Sequence, residues 1–199
     1  QGCQEEVVPT IQCGTNEENV NGVCEIVLQP EELALINVIA NVDDITNYQM
    51  DITIQNGHDL YDIIIQFDDE KSSFEFDNEV EYYEQQGDTL YHYVPQGSLY
   101  AKESVDTVEI NEYDFFKAFE VDWFTYNNGK YLMNIQNQAQ AQTFFEDSFP
   151  DSELTGFEMT IDDDFISEMI FLLQVEEISY RFVIEFSNIG NIDIVLPQV

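Results

Sequence analysis

Apolar and polar residues alternate with a period of two along much of the chain after residue 47. In residues 47–55, NYQMDITIQ, every second side chain is apolar, and Asn56-Gly57 then marks a hairpin turn. Residues 74–94, FEFDNEVEYYEQQGDTLYHYV, indicate two amphipathic strands joined at Gly87-Asp88, with one aromatic face and one acidic face. This alternation predicts a large, curved, antiparallel sheet whose apolar face packs on a second layer or folds round a cavity.

Three segments depart from the period of two and predict helices. Residues 31–42 begin with two glutamates and place apolar residues at helical spacing. Residues 111–121 and 138–149 predict two short helices inserted midway along the chain. The remaining segments predict about nine to eleven strands. The fold class is therefore α+β, mainly β, with one N-terminal helix.

The charge balance is extreme, with 5 Lys+Arg against 41 Asp+Glu and a formal net charge of −36. Repulsion from phosphate excludes nucleic acid as a partner and opposes an anionic membrane surface. We interpret the carboxylates as a solvated, salt-adapted surface whose mutual repulsion is relieved by high salt. The alternative is a divalent-cation site at Asp162-Asp163-Asp164 or Asp68-Asp69-Glu70. Neither has the spacing and central glycine of a calcium loop, so we expect no metal.

The three cysteines, Cys3, Cys13 and Cys24, all precede the predicted sheet. Cys13 and Cys24 bracket a polar loop with an Asn21-Gly22 turn, and we pair them as a disulfide. A zinc site is the alternative, but two cysteines without a nearby histidine supply too few ligands. A disulfide predicts an oxidising, extracytoplasmic location.

Cys3 follows Gly2 and precedes a polar tether that contains a proline. Gly-Cys followed by acidic or polar residues resembles the mature start of a bacterial lipoprotein. No apolar run reaches transmembrane length, so a lipid on Cys3 is the expected membrane attachment, at the outer face of the cell membrane. A spare thiol is the alternative. Residues 1–29 are then a tether with the small cysteine loop, and residues 30–199 are one domain.

Motifs for catalysis are absent from the sequence. The two histidines, His58 and His92, lie in a predicted turn and a predicted strand, where structural roles are more common. The chain has no nucleophile elbow, no HExxH and no phosphate-binding loop. A paired-carboxylate glycosidase stays open as an alternative, because 41 carboxylates would conceal any such pair. We expect a protein that is not an enzyme and has no cofactor.

Large apolar side chains form the candidate site. On the concave face of the predicted sheet they are Met50, Ile52, Ile63, Ile65, Phe74, Phe76, Phe157, Met159 and Phe171, and Met133 is a further cavity candidate. In the central segment they are Phe115, Phe116, Phe119 and Trp123. Plain core is the alternative for each of them, but the set is large for a single-layer sheet unless helices or a ligand cover it. A concave apolar face with few polar groups is the expected form of an acyl-chain site.

The order of elements resembles the LolA/LppX/LprG-like superfamily of extracytoplasmic lipoprotein-localisation and lipid-carrier proteins. The resemblance rests on helix 31–42 before NYQMDITI, on the hairpins of YDIIIQFDDEKSSFEFDNEVEYYEQQGDTLYHYVP, on a helical insertion at about 112–149, and on final strands ending FVIEFSNIGNIDIVLP. It implies a curved antiparallel half-barrel with two short lid helices over an apolar cavity, and non-enzymatic binding of acyl chains, lipids or lipidated proteins. The Gly-Cys start and cysteine loop also resemble surface lipoproteins of Firmicutes and Mollicutes.

Two functions fit these features. The first is a membrane-anchored, non-enzymatic lipoprotein that binds a lipid, an acyl chain or another hydrophobic small molecule in an apolar cavity. The second is an extracytoplasmic protein-interaction or envelope-sensing module whose sheet is filled by its own side chains. A cavity favours the first function, and a filled core favours the second.

Overall fold

The computed structural model describes residues 17–20, 23–26, 28–105, 119–143 and 151–199. Its helices and strands, in chain order, are β1 (Glu17–Val20), β2 (Val23–Ile26), α1 (Pro30–Asn41), β3 (Asn47–Asn56), β4 (Asp59–Asp68), β5 (Lys71–Phe76), β6 (Glu79–Gln86), β7 (Thr89–Gln96), β8 (Leu99–Val105), β9 (Phe124–Asn127), β10 (Lys130–Met133), α2 (Gln138–Gln142), β11 (Ser152–Asp162), β12 (Phe165–Val175) and β13 (Ile178–Ser187).

Strands β3 to β13 form one antiparallel sheet of 11 strands, in the order β8-β7-β6-β5-β4-β3-β13-β12-β11-β10-β9. The last strand, β13, returns to the centre and pairs with β3, with Ile184 opposite Ile52. Strands β8 and β9 pair with only one strand each within the described residues, so the sheet is open. The predicted fold class, a mainly β half-barrel sheet, is confirmed, with the strand number at the upper end of the prediction.

Helix α1 confirms the predicted N-terminal helix. Pro30 occupies its first turn, where a missing N–H costs nothing, and the backbone N–H of Gln29 donates to the Glu32 carboxylate at 2.8 Å. Leu35 and Val38 are buried, and the Tyr131 hydroxyl donates to the carbonyl of Glu31 at 2.8 Å. These contacts hold α1 against one face of the sheet, which we call the inner face. The opposite face is the outer face.

The two short helices predicted midway lie only partly within the described residues. Of the first, residues 111–118 lie outside them, and Val121–Trp123 forms a single 3₁₀ turn. Of the second, residues 138–142 form α2, whereas residues 144–149 lie outside the described residues. The short second helix is therefore confirmed at its N-terminal part.

The stretch 74–94 forms parts of three strands, so the prediction of two strands was wrong. The Gly87-Asp88 turn is present between β6 and β7. A second turn separates β5 from β6 at Asp77 and Asn78, whose φ angles are 51° and 63°. Asp and Asn adopt this left-handed conformation more readily than other residues with a side chain, which lets two such residues close a hairpin.

This additional turn distributes the aromatic side chains over both faces. The register pairs Tyr83 with His92 on the inner face and Tyr82 with Tyr93 on the outer face. The predicted separation into one aromatic and one acidic face is therefore wrong beyond Phe74. The reason is geometric, because residues on opposite sides of a two-residue turn exchange odd and even positions.

The main core lies between the inner face and its covering layer. Phe171 and Phe182 stack across β12 and β13 with ring centroids 4.5 Å apart. Phe119 packs edge-to-face on Phe157 with ring centroids 5.3 Å apart. This contact places the segment before β9 over the sheet. Aromatic pairs in these geometries add to the stability that comes from area burial alone.

The final residues, 188–199, cross the outer face as an extended segment, which we call the C-terminal strap. The Asp68 carboxylate accepts the backbone N–H of Ile194 at 3.0 Å, and the Lys71 ammonium donates to the Ile194 carbonyl at 3.1 Å. Farther along, the backbone N–H of Tyr100 on β8 donates to the carbonyl of Gln198 at 3.2 Å. The strap thus joins the centre of the sheet to one of its edges.

Candidate hydrophobic binding site

The sheet residues predicted for the site lie on one face, as the alternation requires. The register aligns Met50 with Ile65 and Ile65 with Phe74 across β3, β4 and β5. On the other side of β13 it aligns Phe157 with Phe171. The described members on this inner face are Met50, Ile52, Ile63, Ile65, Phe74, Phe76, Met133, Phe157, Met159 and Phe171.

At the centre of the sheet these residues are tightly enclosed. Met50 is 1% exposed and Phe171 is 3% exposed. A side chain that lines a water-sized cavity retains accessible surface, so both residues pack against neighbours on all sides. Phe119 and Trp123 are buried in the same cluster. Phe115 and Phe116, predicted as lid residues, lie outside the described residues.

Enclosure decreases from the centre of the sheet towards β5. Ile65 is buried, Phe74 is half-buried, and Phe76 is 42% exposed. A recess of about 190 Å³ opens on this part of the sheet. It is lined by Ile65, Ser72, Ser73, Phe74, Glu81 and Tyr83. The apolar inner face therefore extends beyond its covering layer at this point.

The rim of this recess carries a small polar group of side chains. The Tyr83 hydroxyl donates to the Glu81 carboxylate at 2.6 Å, and the His92 ring stacks on Tyr83 with centroids 4.6 Å apart. Burial, followed by the hydrogen bond to Glu81, raises the pKa of Tyr83 to about 12. The phenol thus stays neutral at physiological pH. His92 Nε2 is buried, has no hydrogen-bond partner among the described residues, and lies 3.8 Å from the Glu81 carboxylate.

A second concavity, of about 400 Å³, lies on the outer face of β10–β13. Its lining includes Leu132, Gly156, Ile170, Leu172 and Arg181. The sequence interpretation did not find it. The sequence feature that could have revealed it is the uninterrupted apolar run of residues 169–173, MIFLL, because a strand that is apolar on both faces loses its alternation.

The lysines of the described residues are held in ion pairs. Lys71 lies 3.1 Å from Asp68, Lys102 lies 2.5 Å from Glu84, and Lys130 lies 2.5 Å from Glu158. The hydrogen bond from Lys102 is the main cause that lowers the pKa of Glu84, and Tyr93 adds a second one.

Comparison with known proteins gives likeness of overall layout alone. No protein-family model matches the chain, and no curated protein matches it. The crystal structure of the Mycobacterium tuberculosis lipoprotein LppX aligns with a TM-score of 0.46 and 9% identity, over 85% of this chain and 100% of that chain. LprF from Mycobacterium bovis aligns with a TM-score of 0.45 and 11% identity, over 84% of this chain and 97% of that chain.

A DUF1329 family protein from Desulfovibrio piger aligns with a TM-score of 0.27 and 12% identity, over 85% of this chain and 95% of that chain. All three TM-scores are below 0.5, so these likenesses do not decide the function of this chain. They also give no support to an origin in Firmicutes or Mollicutes.

The predicted cysteine and aspartate positions lie only partly within the described residues. Cys24 is disulfide-bonded, whereas Cys3 and Cys13 lie outside the described residues, so the Cys13–Cys24 pairing stays a prediction. Asp163 and Asp164 have φ angles of 46° and 69° and form the turn between β11 and β12. Within the described residues, no cluster of metal-ligating side chains and no helix of membrane-spanning length and hydropathy is found.

Proposed function

We propose that this chain is a non-enzymatic, extracytoplasmic lipoprotein that binds an uncharged hydrophobic ligand, such as an acyl chain, on the inner face of β4–β6. One observation carries the proposal. The apolar face continues from the packed core into a recess lined by Ile65, Phe74 and Tyr83. A ligand there extends the core of the protein without displacing the side chains at its centre.

The size of the recess limits the part of the ligand that it holds. At about 190 Å³ it is smaller than a typical small-molecule site of roughly 300–1,000 Å³. It therefore takes the end of an acyl chain, and the rest of the chain lies along the inner face towards Phe76. Each CH₂ group that leaves water contributes about 0.8 kcal/mol, so a few of them give measurable affinity.

The rim of the recess favours an uncharged head group. Among the described residues, its lining contains the Glu81 carboxylate and the neutral Tyr83 hydroxyl, and no lysine or arginine. At low salt, the net charge of −36 adds long-range repulsion to any anion at this position. An uncharged head group avoids both repulsions. An alcohol or amide can donate to the Glu81 carboxylate, and an ester can accept from the Tyr83 hydroxyl.

Titration with the uncharged dye Nile red, together with native mass spectrometry of freshly purified protein, tests this proposal. Ser72→Phe fills the recess, and we expect it to weaken dye binding about tenfold, as the loss of roughly two buried CH₂ equivalents requires. Ser104→Phe is the matched control, because it makes the same change at an exposed outer-face position of β8. Equal binding by both variants, or no adduct and no dye uptake by the unmodified chain, contradicts the proposal.

Attachment to the membrane through a lipid on Cys3 completes the proposed function. Residues 1–29 then act as a tether, with the Cys13–Cys24 loop near the sheet domain. Expression behind a lipoprotein signal segment in bacteria fed alkyne-labelled palmitate tests this part. We expect label on the chain and none on Cys3→Ser, and label that persists in Cys3→Ser contradicts it.

The close packing around Met50 and Phe171 favours a second candidate function, an extracytoplasmic protein-interaction or envelope-sensing module with a filled core. This candidate requires no small-molecule ligand on the inner face. A blank result with both Nile red and native mass spectrometry supports it over hydrophobe binding.

A further inference from the structure

The outer-face groove of β10–β13 differs from the inner recess in shape and in charge. It measures about 400 Å³, which is within the roughly 300–1,000 Å³ range of small-molecule sites. The register places Leu172 opposite Arg181, and Phe171 opposite Phe182. Because Phe171 and Phe182 face the inner core, Leu172 and Arg181 face outward. The groove and the recess therefore lie on opposite faces of the sheet.

The floor of the groove is apolar and closely built. Ile170 is 9% exposed although it faces away from the main core. Gly156 lies where the register between β11 and β12 shifts, and a Cβ at that position would lie 3.2 Å from Leu172 Cδ1. Glycine at this bulge lets the Leu172 side chain approach the backbone of β11. Together with Leu132, these residues form an apolar wall.

Arg181 supplies a positive charge that no ion pair with a described residue neutralises. Of the four basic residues in the described part of the chain, the three lysines each lie within 3.1 Å of a carboxylate. Arg181 is exposed and makes no ion pair with a described residue. Glu158 also lines the groove, and Lys130 offsets its charge at 2.5 Å while lying 4.0 Å from Glu168, so the guanidinium is the cation there without an ion pair to a described residue. Such a cation is unexpected on a chain with 41 acidic residues.

We propose that this groove binds an amphiphilic carboxylate of the fatty-acid class. The carboxylate lies on the guanidinium of Arg181, whose planar donors match it in a two-pronged contact. The aliphatic chain covers Leu132, Ile170 and Leu172. The site does not depend on the inner recess, whose rim carries Glu81 and disfavours an anion.

Local charge can dominate here despite the net charge of −36. In about 0.15 M salt the Debye length is about 8 Å, so distant carboxylates are largely screened. The contact with Arg181 is short and next to an apolar wall, where screening is weaker. Affinity for the anion therefore depends on this one side chain rather than on the total charge.

Solution NMR titration of the full chain with octanoate and octanol, in about 0.15 M salt, tests the proposal. We expect octanoate to shift the resonances of residues 132, 170–172 and 181. Arg181→Gln is expected to weaken octanoate binding about tenfold or more, the loss of one charged hydrogen-bonded contact, and to leave octanol binding unchanged.

Two control variants make the result decisive. Ser104→Asp changes the net charge by the same one unit at a remote exposed position, and we expect it to bind octanoate as the unmodified chain does. Ser72→Phe fills the inner recess and should also leave octanoate binding unchanged. The proposal is overturned if octanoate does not bind, if Arg181→Gln binds it unchanged, if Ser104→Asp weakens it as much as Arg181→Gln, or if Ser72→Phe abolishes it.

Discussion

The half of the sheet formed by β3 and β9–β13 differs from the wing formed by β5–β8. In the first half, Met169, Ile170 and Phe171 on β12 are all buried in succession. In the wing, β6 has no fully buried residue. The two regions share one hydrogen-bonded sheet, yet among the described residues the buried core cluster has no member on β5–β8.

This difference indicates which part of the sheet stabilises the fold and which part is available to bind a ligand. The first half supplies most of the buried apolar area and hence most of the stability. The wing depends on backbone pairing, on the ion pair of Lys102 with Glu84, and on the C-terminal strap. The inner recess lies where the two regions meet, on the inner face of β4–β6. A ligand bound there adds apolar contacts where the fold provides fewest.

The largest expected effect comes from shortening a side chain in the packed half. Phe171→Ala should lower the free energy of unfolding by about 3–5 kcal/mol, because it leaves a cavity among enclosed neighbours. Phe76→Ala removes the same atoms from the same face in the wing, and we expect about 1 kcal/mol or less because Phe76 is 42% exposed. Urea unfolding at one salt concentration measures both, and equal losses contradict the contrast.

Salt should change the stability of the whole chain next most strongly. Molar NaCl shortens the Debye length to about 3 Å and relieves repulsion among the carboxylates. We expect a gain on the order of 2 kcal/mol, which is roughly 4–8 °C in melting temperature for a chain of this size. Hydrogen exchange at low salt should show the wing opening before the packed half. A flat thermal response contradicts the role given to self-repulsion.

Loss of one strap contact should cost less. Asp68→Asn weakens the hydrogen bonds to the backbone N–H of Ile194 and to Lys71, and we expect about 1–2 kcal/mol because a charged acceptor is lost. Asp77→Asn is the matched control at an exposed turn position, with an expected effect below about 0.5 kcal/mol. Urea unfolding compares the two variants. A strap that contributes nothing would make them equal.

The contribution of Asp68 should also depend on pH with a defined sign. The hydrogen bond from Ile194 is the largest cause of the lowered pKa of Asp68, and Lys71 adds to it. A carboxyl group with a lowered folded-state pKa stabilises the fold above its unfolded pKa of about 3.9. This stabilisation disappears as pH falls through the folded pKa. The stability difference between the unmodified chain and Asp68→Asn should therefore be full at neutral pH and shrink below about pH 4.

The sequence allowed much of the packed half to be predicted, because strict alternation in segments such as 47–55 is typical of half-buried strands. The C-terminal strap could not be predicted in the same way. NIDIVLP alternates like a strand, but its backbone groups bond to Asn47, Asp68 and Lys71 rather than to a neighbouring strand. Only tertiary contacts reveal that choice.

The candidate site was predictable as a face but not as a cavity. Alternation placed Met50, Phe74 and Phe171 on the same side of the sheet, as the register shows. Whether each is enclosed or accessible depends on how far α1 and the segment before β9 extend over the sheet. The sequence shows Arg181 as one of five widely separated basic residues. Only the structure shows that it differs from the described lysines, which form ion pairs, whereas Arg181 forms none with a described residue.

Photo-crosslinking with an uncharged, diazirine-bearing alkyl alcohol tests the central claim most directly. The probe reports the residues that contact the bound chain, and mass spectrometry of peptides locates them. We expect label within residues 65–83, concentrated near Phe74 and Tyr83 and lost in Ser72→Phe. Label spread evenly over the chain, label confined to the outer face of β10–β13, or no label at all would contradict the inner recess as the binding site.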